Sequence, residues 1–302
     1  MYSRGTCDMK AGLAAMILAL ESLQEAGLEL KGDVIIESVV DEEGGGNGTL
    51  ACVVEGYRAD AAIVTEPTGL HIRPASRGVF LLKVDVVGKA THAALKWEGV
   101  NAIEKAVKIV QGMYELEHRW LARRNNPLLP SPTITIGQVE GGLAGAIVPN
   151  ECSMKFDVKY LPVEVGPDGR EHRVTGETVR QEVEDWIATI CAGDEWLREH
   201  PPKLDWYLHV LPHWLDPRHE LVGILSRACE ETFGQSIITG MPSGADARIL
   251  QNAGHIDTII FGPGGLQQAH SIDEYVPLDQ FMNAIKALAL SIYRWTSEAG
   301  DE

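Results

Sequence analysis

Asp41-Glu42-Glu43-Gly44-Gly45-Gly46 is the stretch on which the reading of this chain turns. Three adjacent carboxylates repel one another and resist burial, so a folded protein keeps such a run in solvent or beside a compensating cation. The residues before it, Asp33-Val34-Ile35-Ile36-Glu37-Ser38-Val39-Val40, form a β-branched apolar run that predicts a buried parallel strand. The glycines after it allow close backbone approach. The acids then fall at the carboxyl end of a core strand, where open α/β sheets form their ligand crevices. A divalent cation with a general base beside it is one explanation, and an acidic solvated loop is the other.

The same arrangement recurs on either side. Asp8 precedes residues 11–26, rich in Ala and Leu and closed by Gly27, which predicts a helix. A second helix is expected over 50–55. The short apolar strand 59–65 again ends in an acid, Glu66, before Pro67. This alternation predicts an α/β fold with a mainly parallel sheet. From Arg77-Gly78 the rhythm changes to a strand over 79–88 and a helix over 100–123. Strands over 133–140 and 152–160 and a helix over 175–192 follow, which reads as an inserted α+β, ferredoxin-like unit. The α/β rhythm then resumes through a helix to 233, strands near 237–239 and 258–261, a short helix over 245–253 and a closing amphipathic helix over 278–296. The expected division is therefore 1–78, 79–192 and 193–302. The chain enters its first helix almost at once, so the opening strands of a doubly wound sheet are expected to be absent.

Composition narrows the partners. With 26 Lys+Arg against 43 Asp+Glu the 302-residue chain carries a net charge of −17, which repels phosphate backbones and argues against nucleic acid. No apolar run is long enough for a membrane span. The five cysteines are odd in number and scattered without a CxxC pair, as in reduced, cytoplasmic proteins.

Asp8, Glu43, Glu66 and His270 all lie at the ends of core elements and are the donor types that zinc, cobalt or manganese take. Each has a plainer reading taken singly: Asp8 as an N-cap, Glu66 as a turn residue, His270 as a surface histidine in a glycine loop. Four motifs in order, residues 3–12, 41–45, 65–68 and 262–270, resemble those of the two-metal deacylases. That family includes acetylornithine deacetylase, succinyl-diaminopimelate desuccinylase, aminoacylase and carboxypeptidase G. The Ala146 position and residues 194–202 resemble the formylaminopyrimidine deformylase branch.

The resemblance implies hydrolysis of a small N-acyl amine or amino acid by water at a divalent metal centre, most simply zinc. Asp8 would bridge two ions, Glu43 and His270 would complete one site, and Glu66 would belong to the other. Glu42 would be the general base, an assignment that suits a carboxylate adjacent to a ligand but free of the metal. The resemblance also implies that His92 reaches a partner subunit's site to steady the oxyanion, and that Arg248 and Asn101 contact substrate. It makes 79–192 a lid and dimerisation domain between the two halves of the catalytic domain, hence a homodimer. The family's His-x-Asp strand upstream of the bridging aspartate has no counterpart here, so one complete metal site is expected. A catalytically silent or single-metal dimeric binding protein is the alternative.

Overall fold

The computed structural model describes residues 1–166 and 168–298. Its main elements, in chain order, begin with α1 (Ala11–Glu25), α2 (Asn47–Glu55), β1 (Ala61–Val64), β2 (Gly78–Val87) and α3 (Ala102–Arg123). They continue with β3 (Thr133–Gly141), β4 (Glu151–Tyr160), α4 (Gly176–Ala192), α5 (Glu195–Glu199) and β5 (Lys203–Val210). The last are α6 (Glu220–Phe233), α7 (Ala247–Asn252), β6 (Asp257–Ile260) and α8 (Leu278–Glu298). The chain divides into two compact units. One comprises Met1–Ser76, Pro127–Leu129 and the described residues from His213 onward, and the other comprises Arg77–Asn126 and Pro130–Pro212.

In the first unit β1 and β6 pair in parallel, from Ala61 opposite Asp257 to Val64 opposite Ile260. Ile259 and Phe261 are fully buried there, and burying such a side chain is worth about 1.5–3 kcal/mol. Helices α1 and α8 pack together through small residues of one core, Ala15 and Ala19 against Ala284 and Ala287. Gly12 in the first turn of α1 lies against the Thr65 backbone, where a Cβ would collide. Glycine at this position therefore brings the start of α1, and Asp8 just before it, to the carboxyl end of β1.

The second unit is a split βαβ. Its four-stranded antiparallel sheet has the order β3-β4-β2-β5, the ferredoxin-like arrangement. In β2 alternate residues Phe80, Leu82, Val84 and Val86 face the core. Helix α3 buries Ala102, Ala106, Ile109, Met113, Leu116 and Trp120, a stripe at helical spacing. Helix α4 contributes Val179, Val183 and Ile187 to the same core.

Several expectations change. The run 34–40 takes no regular secondary structure and joins no sheet among the described residues, and Val34, Ile35, Ile36 and Val40 stand 37–76% exposed. Burial of an apolar run requires a neighbouring strand on each side, and the described strands supply none here. The stretch near 237–239 forms an isolated bridge, Ile72 to Ile238, rather than a strand. The inserted unit reaches 212 rather than 192, because β5 completes its sheet by pairing with β2. Residues 299–302 of the last expected range lie outside the described residues. No helix among the described residues is long and apolar enough to cross a membrane, and the five cysteines are free.

Candidate metal centre

Three segments of the first unit converge. The first carries Asp8 in an extended conformation (φ −120°, ψ 95°), three residues before α1. The second is the acidic turn. Asp41 has φ 67°, and its carbonyl accepts the amides of Gly45 and Gly46 at 3.1 and 2.7 Å, closing a tight turn that carries Glu42 and Glu43. Gly46 (φ 79°) packs against Asp246, where a Cβ would strike Oδ1, so only glycine fits. The third is the loop after β6, in which His270 adopts φ 57°.

His270 Nε2 lies 3.0 Å from Asp8 Oδ2 and 2.9 Å from Glu43 Oε1. One donor atom from each of the three residues falls within 4.8 Å of the others. Two carboxylate oxygens and an imidazole nitrogen suit zinc, cobalt or manganese. The surrounding charge suits a cation too. Burial raises the Asp8 carboxyl above its usual range and Glu43 adds to this, while His270 works the other way. Glu66, 5% exposed, is pushed up to about 9 by burial and then by Glu42 and Asp8. Its Oε1 has no hydrogen-bond partner among the described residues. A buried carboxylate oxygen without a donor, in a cluster of acids, is what a bound cation would satisfy. Glu66 shares this electrostatic neighbourhood but stands outside the three-residue cluster.

Glu42 sits beside the cluster. Burial pushes its carboxyl up to about 7, helped by Asp246, Glu43 and Asp8 and opposed by Arg248. That places its titration at neutrality, where a group that both takes and returns protons works best. Asp246 is buried, accepts the Thr49 hydroxyl at 2.6 Å, and has no partner for Oδ1 among the described residues. Arg248 donates to the Gly45 carbonyl at 2.8 Å, so it braces the acidic turn.

Two anticipated site residues belong to the second unit. His92 is exposed, and its Nδ1 accepts the Ala94 amide at 3.1 Å. Asn101 caps α3, its Oδ1 accepting the amides of Ile103 and Glu104 at 2.9 and 3.3 Å. This leaves its oxygen committed to the helix rather than to a substrate. Two residues went unnoticed in the sequence. Thr49, at the start of α2, holds Asp246. Glu274, four residues after His270, is buried against the Asp8 segment; a loop acid so close to a candidate ligand was the available signal.

Residues 1–294 match the model of Peptidase family M20/M25/M40, and the chain belongs to this family, whose enzymes hydrolyse amide bonds with divalent metal ions. N-formyl-4-amino-5-aminomethyl-2-methylpyrimidine deformylase of Halalkalibacterium halodurans is 33% identical, over 97% of this chain and 71% of the deformylase. Acetylornithine deacetylase of Myxococcus xanthus is 29% identical, over 97% of this chain and 72% of that enzyme. Among solved structures, the aminopeptidase PepT of Bacillus cereus superposes with a TM-score of 0.71 at 20% identity. That match covers 96% of this chain and 71% of PepT, and it bears on the fold.

Proposed function

We propose that this chain removes a formyl or similarly small acyl group from the nitrogen of a small amine. Asp8, Glu43 and His270 hold a divalent cation, zinc on donor chemistry, and Glu42 moves the proton. The observation that carries this reading is the convergence of Asp8, Glu43 and His270, with the half-buried Glu42 carboxyl beside them. When bound, the cation supplies electrophilic polarisation. Glu42 accepts a proton from the attacking water as the new C–O bond forms, and returns it to the amine nitrogen as the C–N bond breaks. The products are a carboxylate and a free amine. Arg248, held against the acidic turn, is assigned to orient a polar group of the substrate. Glu66 is the remaining acid for a second ion. His92 is assigned to oxyanion stabilisation in the site of a second copy of the chain, which makes the working form a homodimer associated through the inserted unit.

Support comes from the relatives, since the 33%-identical protein is a deformylase of a small aminomethylpyrimidine. The test is turnover of N-formyl, N-acetyl and N-succinyl amines by the zinc-loaded chain beside Glu42→Gln. Release of formate in preference to the larger acids, abolished by Glu42→Gln, is the expected result. No turnover of any of them, with zinc bound, would leave a binding protein.

A further inference from the structure

The segment leading to Asp8 is closed against the loop that carries His270. The Ser3 amide donates to the Glu274 carbonyl at 3.1 Å, and the Met1 amino group donates to the Val276 carbonyl at 2.9 Å. The Glu274 side chain sits at the centre of this closure, 2% exposed. Its Oε1 accepts the amides of Cys7 and Asp8 at 2.8 and 3.0 Å. Its Oε2 accepts the Gly5 amide at 2.9 Å and meets the Arg4 guanidinium at 3.5 Å. Gly5 takes φ 75°, and the amides of Gly5, Cys7 and Asp8 converge on this one carboxylate while the Thr6 amide bonds the Ser3 carbonyl. Burying a carboxylate is costly unless charge-assisted bonds compensate. Here three amides and Arg4 do so, and in return the carboxylate fixes the backbone of residues 5–8.

Because Glu274 and His270 share one loop, a single short segment supplies one ligand and grips the backbone of another. We propose that Glu274 is the positioning residue of the metal centre, holding the Asp8 backbone at the separation from His270 that a shared cation requires. This rests on the reading of Asp8, Glu43 and His270 as cation ligands. Glu274 acts through Asp8: each of its oxygens is already engaged by backbone amides.

The experiment titrates cobalt(II) into the full chain, following visible absorption and calorimetric heat. The chains compared are wild type, Glu274→Gln, Glu274→Ala and a core control, Leu225→Ala, which removes a fully buried side chain of α6 in the same unit. Supporting ligands typically contribute about 10–100-fold in metal affinity, and Glu274→Ala is expected to weaken cobalt by that amount with an altered absorption band. Glu274→Gln, which keeps the shape but loses the charge, should fall between. Leu225→Ala should bind cobalt like wild type despite a lower melting temperature. The proposal is overturned if Glu274→Ala binds cobalt like wild type with an unchanged band, or if the core control loses affinity equally. Absence of cobalt binding by wild type itself would instead remove the metal reading, and this proposal with it.

Discussion

The His270 imidazole touches Glu43, with Nε2 2.9 Å from Oε1, although the two side chains are 64% and 65% exposed. In solvent such a pair contributes less than about 1 kcal/mol, too little to hold two loops together. The proposed cation, shared with Asp8, would draw these two side chains together. Asp8→Asn and His270→Ala are each expected to weaken zinc binding beyond the roughly 10–100-fold cost of losing a supporting residue. Competition against a chromogenic chelator measures this, and unchanged affinity in both variants would remove the triad as a cation site.

Glu42→Gln separates proton transfer from cation binding. Loss of a positioned general base lowers kcat by about 10²–10⁴-fold. Cation content, read by elemental analysis, should stay at the wild-type level because Glu42 is not in the ligand cluster. A variant that loses both together would make Glu42 a ligand.

His213 makes the first unit acid-sensitive. It is fully buried, and its Nε2 bonds the Thr258 carbonyl at 2.7 Å. Burial lowers its pKa from 6.5 to about 4 despite that bond. Below pH 6.5 the unfolded chain takes up a proton that the folded chain refuses, so stability present above 6.5 is lost as pH falls towards 4. At about 1.4 kcal/mol per pH unit the loss approaches roughly 3 kcal/mol. Urea midpoints across this range should fall for wild type and fall less steeply for His213→Gln.

In the second unit Asp194 caps α5 through the Leu197 amide at 3.0 Å and receives Lys105 and Lys108 at 2.8 and 2.6 Å. Burial opposes its charge, but bonds from Lys105, Lys108 and Leu197 outweigh this and hold the carboxyl well below the usual range. The stability it lends is therefore present above about pH 4 and disappears as pH falls below that. Asp194→Asn should cost about 1.5–3 kcal/mol at neutral pH, read from chemical denaturation. A loss under about 0.5 kcal/mol, ordinary for surface changes, would reduce the cluster to a surface pairing.

What was legible in the sequence follows from where the information lies. Helix α3 was readable because its stripe from Ala102 to Trp120 repeats at helical spacing, and Asp8, Glu43 and His270, which the fold brings together, drew notice because their donor types stand out. The run 34–40 was misread because β-branched composition speaks for an extended backbone and is silent about pairing. Strand β5 was missed for the opposite reason: at the sheet edge beyond β2, its residues are half exposed or exposed. Yet Leu204, Trp206, Leu208 and Val210 alternate with Lys203, Asp205, Tyr207 and His209, the period-two pattern of a half-buried strand, so the signal was present. Glu274 offered only its nearness to His270 as a signal, because the groups it binds are backbone amides, which leave no mark in side-chain sequence.

The triad draws Asp8 and Glu43 from early in the chain and His270 from late in it. At about 5–20 residues per second, His270 emerges from the ribosome roughly 13–50 s after Asp8. Throughout that interval the nascent polypeptide bears Asp8 and Glu43 without the third member of the cluster. On the proposed assignment, cation capture would be a late event in biogenesis, and a chain stalled before residue 270 would lack one of the three donors however well its earlier helices have formed.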